Sequence, residues 1–135
     1  MKEIHLLEKT NDLEFSVLAI NSHDKGYKLC WHINNLLGMS FARQDSCVLS
    51  EKEQFTSFVH NEGEQKYVLV ENKSKKGFLL SKKKNINFFI KVEPMLMLKE
   101  KQEFISNLNK VSKILLIFEI DLNKEKQVHR FIFND

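Results

Sequence analysis

One pattern constrains this chain more than any other, and it occurs twice: a short apolar run with strand character, then a segment of helical length. Leu13 to Asn21 (LEFSVLAIN) is apolar and rich in strand formers, as a buried strand must be. The polar turn Ser22 to Gly26 follows, and Tyr27 to Leu37 then reads as a helix. Leu29, Trp31, Ile33, Leu36 and Leu37 give that helix a broad apolar arc, which places Trp31 in the core rather than on a ligand platform. Gly38 stands where a glycine in the left-handed conformation ends a helix. The second occurrence opens with the strand Ile86 to Val92 (INFFIKV). Pro94 suits a first helical turn, where its fixed φ fits and its missing N–H is not needed. The expected helix runs from Met95 to Ser112, with Met97, Phe104, Ile105, Leu108 and Val111 on one face. Ile114 to Leu122 is the next expected strand.

Between these units Ser40 to Ser50 reads as extended. Glu53 to His60 and Gln65 to Glu71 form a hairpin around Asn61 to Glu64. Phe78 to Leu80 is expected as a short strand and Val128 to Phe133 as a last edge strand. Both strand–helix–strand units have lengths suited to right-handed crossovers. The expected class is α+β: a ferredoxin-like split β-α-β sheet with two helices on one face and an inserted β-hairpin. The 135 residues suit one globular domain, 1–135.

Composition narrows the setting. A 42% hydrophobic content with a net charge of +3 is that of a folding chain rather than a disordered one. Met1 to Thr10 carries Lys2, Glu3, Glu8 and Lys9, and no apolar stretch with a small-residue cleavage site follows, so no secretory signal is expected. The longest apolar run, Ile114 to Phe118, is far too short for a membrane span. Two cysteines, Cys30 and Cys47, are too few for a disulfide scaffold. These features point to the cytoplasm and to free thiols.

No catalytic constellation is legible. Ser22-His23-Asp24 holds the residue types of a hydrolase triad, but neighbours in sequence cannot fold back into a relay, and Asp24 reads as a helix cap. Cys30 and His32 are two apart on a helix and so point to different faces. Glu119 and Asp121 share one face of an expected strand, as solvated carboxylates do, and Glu51 and Glu53 form a similar pair. The four glycines, 26, 38, 63 and 77, write neither a dinucleotide fingerprint nor a phosphate loop. No catalytic residue, metal ligand or cofactor site is therefore assigned.

Charge is segregated. Lys66 to Lys84 holds seven Lys and one acid, Glu71, for a local charge of +6. The candidate nucleic-acid contacts are Lys73, Lys75, Lys76, Lys82, Lys83 and Lys84. Lys attracts phosphate without directional recognition, so such binding would be weak, insensitive to sequence and steeply salt-dependent. Lys76-Gly77-Phe78 matches the start of an RNA-recognition signature, but Leu79, Leu80 and Ser81 follow where another aromatic belongs.

Tyr27-Lys28-Leu29-Cys30-Trp31, with Asn34 and Leu37-Gly38, resembles the Tyr-Arg-Leu-Cys-Trp region of the IPExxxVDY family, small bacterial proteins of unknown function. The similarity continues through Phe55-Thr56-Ser57-Phe58, Asn72-Lys73-Ser74 and Phe88-Phe89-Ile90-Lys91 to the final strand. The family's naming motif falls on Val111 to Glu119. Ser112 and Lys113 stand for its Pro-Glu there, and Phe118-Glu119 for its Asp-Tyr, so the apolar pattern is what is shared. The resemblance implies a helper protein and supplies no catalytic residues. The expected function is a non-enzymatic cytoplasmic protein-interaction (helper or adaptor) role with an unknown protein partner. One alternative is an RNA- or ribosome-associated protein using the Lys-rich surface. The other is a small-molecule-binding regulatory domain whose ligand sits at the turn Ser22 to Gly26. With no ligand pattern around either cysteine, neither dithiothreitol nor a chelator should move the melting temperature; a shift of several degrees with either reagent would reveal a disulfide or a metal.

Overall fold

The computed structural model describes residues 14–44, 48–50 and 53–133. The expectations for Cys47, Glu51 and the first residues of the chain lie outside them.

The apolar run at the start of the described chain becomes β1 (Ser16–Asn21), buried at every position but its last. Helix α1 (Gly26–Leu37) follows and ends at Gly38, whose φ of 69° is left-handed; the Gly38 N–H donates to the Asn34 carbonyl at 2.9 Å. Asn34 also fixes the exit of the chain. Its amide donates to the Phe41 carbonyl at 3.1 Å, and its side-chain oxygen accepts the Phe41 N–H at 2.8 Å. Next come β2 (Ala42–Arg43), β3 (Val48–Ser50), β4 (Glu53–Phe55), β5 (Ser57–Glu62) and β6 (Gln65–Glu71). The hairpin turn is tighter than the sequence implies, with Glu62 paired directly to Gln65. Gly63, at φ 61°, supplies the positive φ that a two-residue connection needs. Strand β7 (Phe88–Glu93), helix α2 (Leu98–Asn109) and β8 (Leu116–Glu119) complete the regular elements of the described residues.

Six strands form one sheet in the order β2-β5-β6-β7-β1-β8, every neighbouring pair antiparallel; β3 and β4 form a separate two-stranded sheet. The strands β7 and β8 flank β1 on either side and so run parallel to each other, joined by α2. Register assigns the two faces. Leu18, Ile90, Leu69 and Phe58 form one row across four strands. That row packs with Leu29, Cys30 and Ile33 of α1 and with Phe104 and Leu108 of α2, so both helices cover one face. Val17, Ala19, Val68, Val70 and Phe89 line the other face. No helix covers it. Phe55, Leu79, Leu80, Ile86 and Phe131 do, from β4, loops and a closing 3-10 turn (Val128–Phe131). Lys91 lies on this second face, 7% exposed, with its ammonium 4.6 Å from the Phe15 ring centroid and 4.9 Å from that of Phe133.

Several sequence expectations are corrected. Trp31 is 63% exposed: it stands roughly 200° round the helix from Leu29, opposite the buried stripe Leu29–Ile33. Phe78 to Leu80 is not a strand; Phe78 makes a single bridge to Lys73, and Leu79 and Leu80 are buried loop residues. Val128 to Phe131 coils into the 3-10 turn because Phe131 must reach Phe89, at a ring separation of 5.2 Å. Helix α2 begins at Leu98, so Pro94 precedes it outside the first turn and Met97 is an exposed flanking residue. Strand β8 stops at Glu119, and Asp121 turns away to accept the Asn123 N–H at 3.0 Å. Glu119 instead pairs with Lys101 of α2 at 2.8 Å.

Helix α1 lies close against the sheet at its first residue. A Cβ on Gly26 would lie 2.6 Å from Phe58 Cε1 and 2.8 Å from Glu71 Oε2. The Phe58 ring is buried and has little room to move. Gly26→Ala should therefore destabilise the domain by about 1–3 kcal/mol, read as a lower urea midpoint at unchanged slope. A variant as stable as the parent would show that α1 can lift off the sheet without loss.

Candidate basic cleft at the strand–helix turn

The loop from Asn72 to Asn87 carries the lysine clusters, and a single buried side chain organises it. Asn72 is fully buried. Its amide donates to the carbonyls of Lys83 (3.0 Å) and Ile86 (2.9 Å), and its side-chain oxygen accepts the Leu80 N–H at 2.9 Å. Its backbone adds two more bonds: its carbonyl accepts the Leu79 N–H at 2.7 Å, and its N–H donates to the Asn87 carbonyl at 2.9 Å. Asn87 passes the connection on, because its side-chain oxygen accepts the Ser22 N–H at 2.8 Å. The loop is thereby tied to the turn between β1 and α1.

A cleft of about 580 Å³ opens where these segments meet. Four cations line it from four parts of the chain: Lys25 at the turn, Arg43 on β2, Lys73 after β6 and Lys84 before β7. Lys84 also rests over the Phe78 ring, 5.6 Å from its centroid. Two carboxylates share the cleft, Asp24 and Glu71. Burial pushes the Glu71 carboxyl above the ordinary carboxylate range, against the pull of the Arg43 guanidinium. Asp24 lies 3.6 Å from His32 Nε2. It does not cap α1: the N-cap is Lys25, which makes no side-chain cap bond, while the Asp24 N–H donates to Ser22 Oγ at 3.2 Å. The first amides of α1 thus lack a side-chain cap at the rim of the cleft.

Of the six lysines singled out from the sequence, Lys73 and Lys84, one from each cluster, meet in the cleft. Lys75, Lys76, Lys82 and Lys83 do not line it. Lys75 and Lys76 ride a turn closed by Ser74 Oγ, which accepts the N–H groups of Lys76 and Gly77 at 3.2 Å each. Lys82 and Lys83 lie in a 3-10 turn (Ser81–Lys83). The Lys76-Gly77-Phe78 triplet falls in a loop rather than on a central strand. The sheet face opposite the helices, which RNA-recognition domains use, is covered here. Lys25 and Arg43 escaped the sequence reading because isolated cations far apart in sequence carry no pattern.

Neither protein-family models nor curated proteins yield a match to this chain. The chemistry of the cleft therefore has to be read from its own residues. Among the described residues no three His, Cys, Asp or Glu side chains are grouped to hold a metal ion, and no helix is long and apolar enough to cross a membrane. The Cys30 thiol, pushed up to about 12 by burial and then by the Glu71 charge, lies under α1 rather than in the cleft wall.

Because Asn72 satisfies three backbone groups, two of them buried, with one side chain, Asn72→Ala should cost about 2–4 kcal/mol and loosen the loop that carries Lys73 and Lys84. Urea unfolding gives the cost. Amide exchange should quicken at Leu80 more than in β1, and uniform protection across both would mean that Asn72 does not organise the loop.

Proposed function

We propose that this protein is a binding domain whose cleft at the strand–helix turn takes an anionic ligand. The observation that carries the reading is the convergence of Lys25, Arg43, Lys73 and Lys84, from four separate segments, against two carboxylates. Exposed lysines scattered by composition have no reason to meet in one concavity. The volume of about 580 Å³ is that of a small-molecule site, and the N-terminus of α1 adds its dipole at the rim. The regulatory-domain alternative anticipated a ligand at Ser22 to Gly26, and those residues form one wall of this cleft.

The same proposal reads the order β8-β1-β7-β6 with α1 and α2 as a ferredoxin-like unit, β2 and β5 extending its far edge. A cytoplasmic location and a non-enzymatic role belong to it as well. The IPExxxVDY resemblance names no activity that competes with it. An adaptor role finds its own support in Leu115, Leu116 and Phe118, exposed at the edge strand β8.

Inorganic pyrophosphate at low salt is the test. It should raise the melting temperature of the parent protein, and added salt should erase the effect. The double substitution Lys73→Glu, Lys84→Glu should weaken binding by about tenfold or more, and Glu71→Gln, which removes a negative charge from the cleft, should strengthen it. An equal response in all three proteins, or none in the parent, would overturn the reading.

A further inference from the structure

A second groove, of about 500 Å³, adjoins the basic cleft on the outer side of α1. Asp24 and Tyr27 line both and form the shared ridge. Tyr27 and Trp31, one helical turn apart, are 59% and 63% exposed, and Lys28 and Lys113 flank them. Trp31 is not a loose side chain. His32 packs edge-on against its ring, centroids 5.0 Å apart at 83°, and Asp24 lies 3.6 Å from that His32 ring.

We infer that the two grooves together bind single-stranded nucleic acid, with phosphates in the basic cleft and unpaired bases stacked on Trp31 and Tyr27. The inference rests on the anion-binding reading of the cleft and gives its ligand a class. Three features select this occupant. Two exposed aromatic rings one turn apart, that of Trp31 braced by His32, offer two stacking stations where a lone nucleotide needs one. Lys28 and Lys113 continue the positive charge of Lys25 past those rings, so the attraction follows a line rather than a point. The rings lie among charged side chains, whereas the core of a protein–protein interface is depleted of charge. Duplex does not fit, because paired bases keep their faces in the stack. With the sheet face opposite the helices covered, the two most exposed aromatic rings among the described residues are those on α1.

Trp31 is the sole tryptophan of the chain, so its emission reports stacking directly. The probes are a single-stranded oligonucleotide of about ten nucleotides in ribo and deoxy forms, an abasic oligodeoxynucleotide of equal length, a mononucleotide and inorganic pyrophosphate. The intact oligonucleotides should quench the emission to saturation, the ribo and deoxy forms together showing whether the sugar is read. The abasic strand should bind more weakly and leave the emission unchanged. Trp31→Ala should lose roughly 5- to 150-fold in oligonucleotide affinity, measured by anisotropy of a labelled strand. Trp31→Phe should keep most of it. Pyrophosphate binding should be the same in all three proteins, and their circular dichroism should coincide, since the side chain is exposed.

If intact and abasic strands bind alike without quenching while pyrophosphate still binds, the base platform is wrong and the cleft reading stands. If pyrophosphate and every strand fail, both fall together. A mononucleotide as tight as the strand would make the occupant a nucleotide and overturn the inference. So would emission silent to every strand, which would leave the two rings to a protein partner.

Discussion

The structure depends on one constraint: its central strands are apolar on both faces, and the helices among the described residues cover only one of them. Strand β1 is buried from Ser16 to Ile20, and β7 from Phe88 to Val92. A sheet of that kind needs a cover on each side. Helices α1 and α2 cover one side with their own backbones already hydrogen-bonded. The other side is closed by loop residues such as Leu79, Leu80 and Ile86, whose peptide groups go into the interior without a ladder to join. Buried peptide groups left without partners are expensive, which is why an asparagine sits among them. Asn72 has the donor count and the reach to stand in for missing secondary structure, and no apolar residue of its size can.

That arrangement also explains why a basic cleft exists where a loop was needed for packing. Lys73 and Lys84 lie near the two ends of a segment whose middle is pinned under the sheet. Their backbone positions are set by burial elsewhere, and the repulsion between them is held by the fold rather than relieved by it. A ligand of opposite charge meets cations already assembled and has little ordering to impose. The raised Glu71 carboxyl follows from the same crowding. It sits beneath the start of α1, where the absence of a side chain on Gly26 lets helix and sheet close together.

How much of this could be read from the sequence depended on periodicity. Where a residue's fate follows from its neighbours along the chain, the reading came close. The strand at Ser16–Asn21, the helix ending at Gly38 and the paired strands β5 and β6 all carry repeating apolar signals. Where fate is decided by what packs on from elsewhere, it did not. Phe131 lies in a short segment, Val128 to Phe133, that reads as an edge strand, yet contact with Phe89 across the second face sets its conformation. Trp31 reads as core because it stands among Leu29, Ile33, Leu36 and Leu37, but Leu29, Ile33 and Leu37 already complete a stripe at helical spacing and leave Trp31 on the far side of the helix. Half of the cleft was visible as a run of lysine. The other half, Lys25 and Arg43, needed the fold to bring it there.

Cys30 has a consequence of a different kind. Its thiol is 3% exposed beneath α1, and with an ionisation near 12 almost none of it is thiolate at neutral pH. In the closed fold it is shielded twice, by access and by protonation. Modification by an alkylating reagent must then wait for α1 to swing away from Leu18 and Ile20, so the slow rate of that reaction keeps time for the opening of the helix. The fold carries its own stopwatch on the element that joins cleft and sheet.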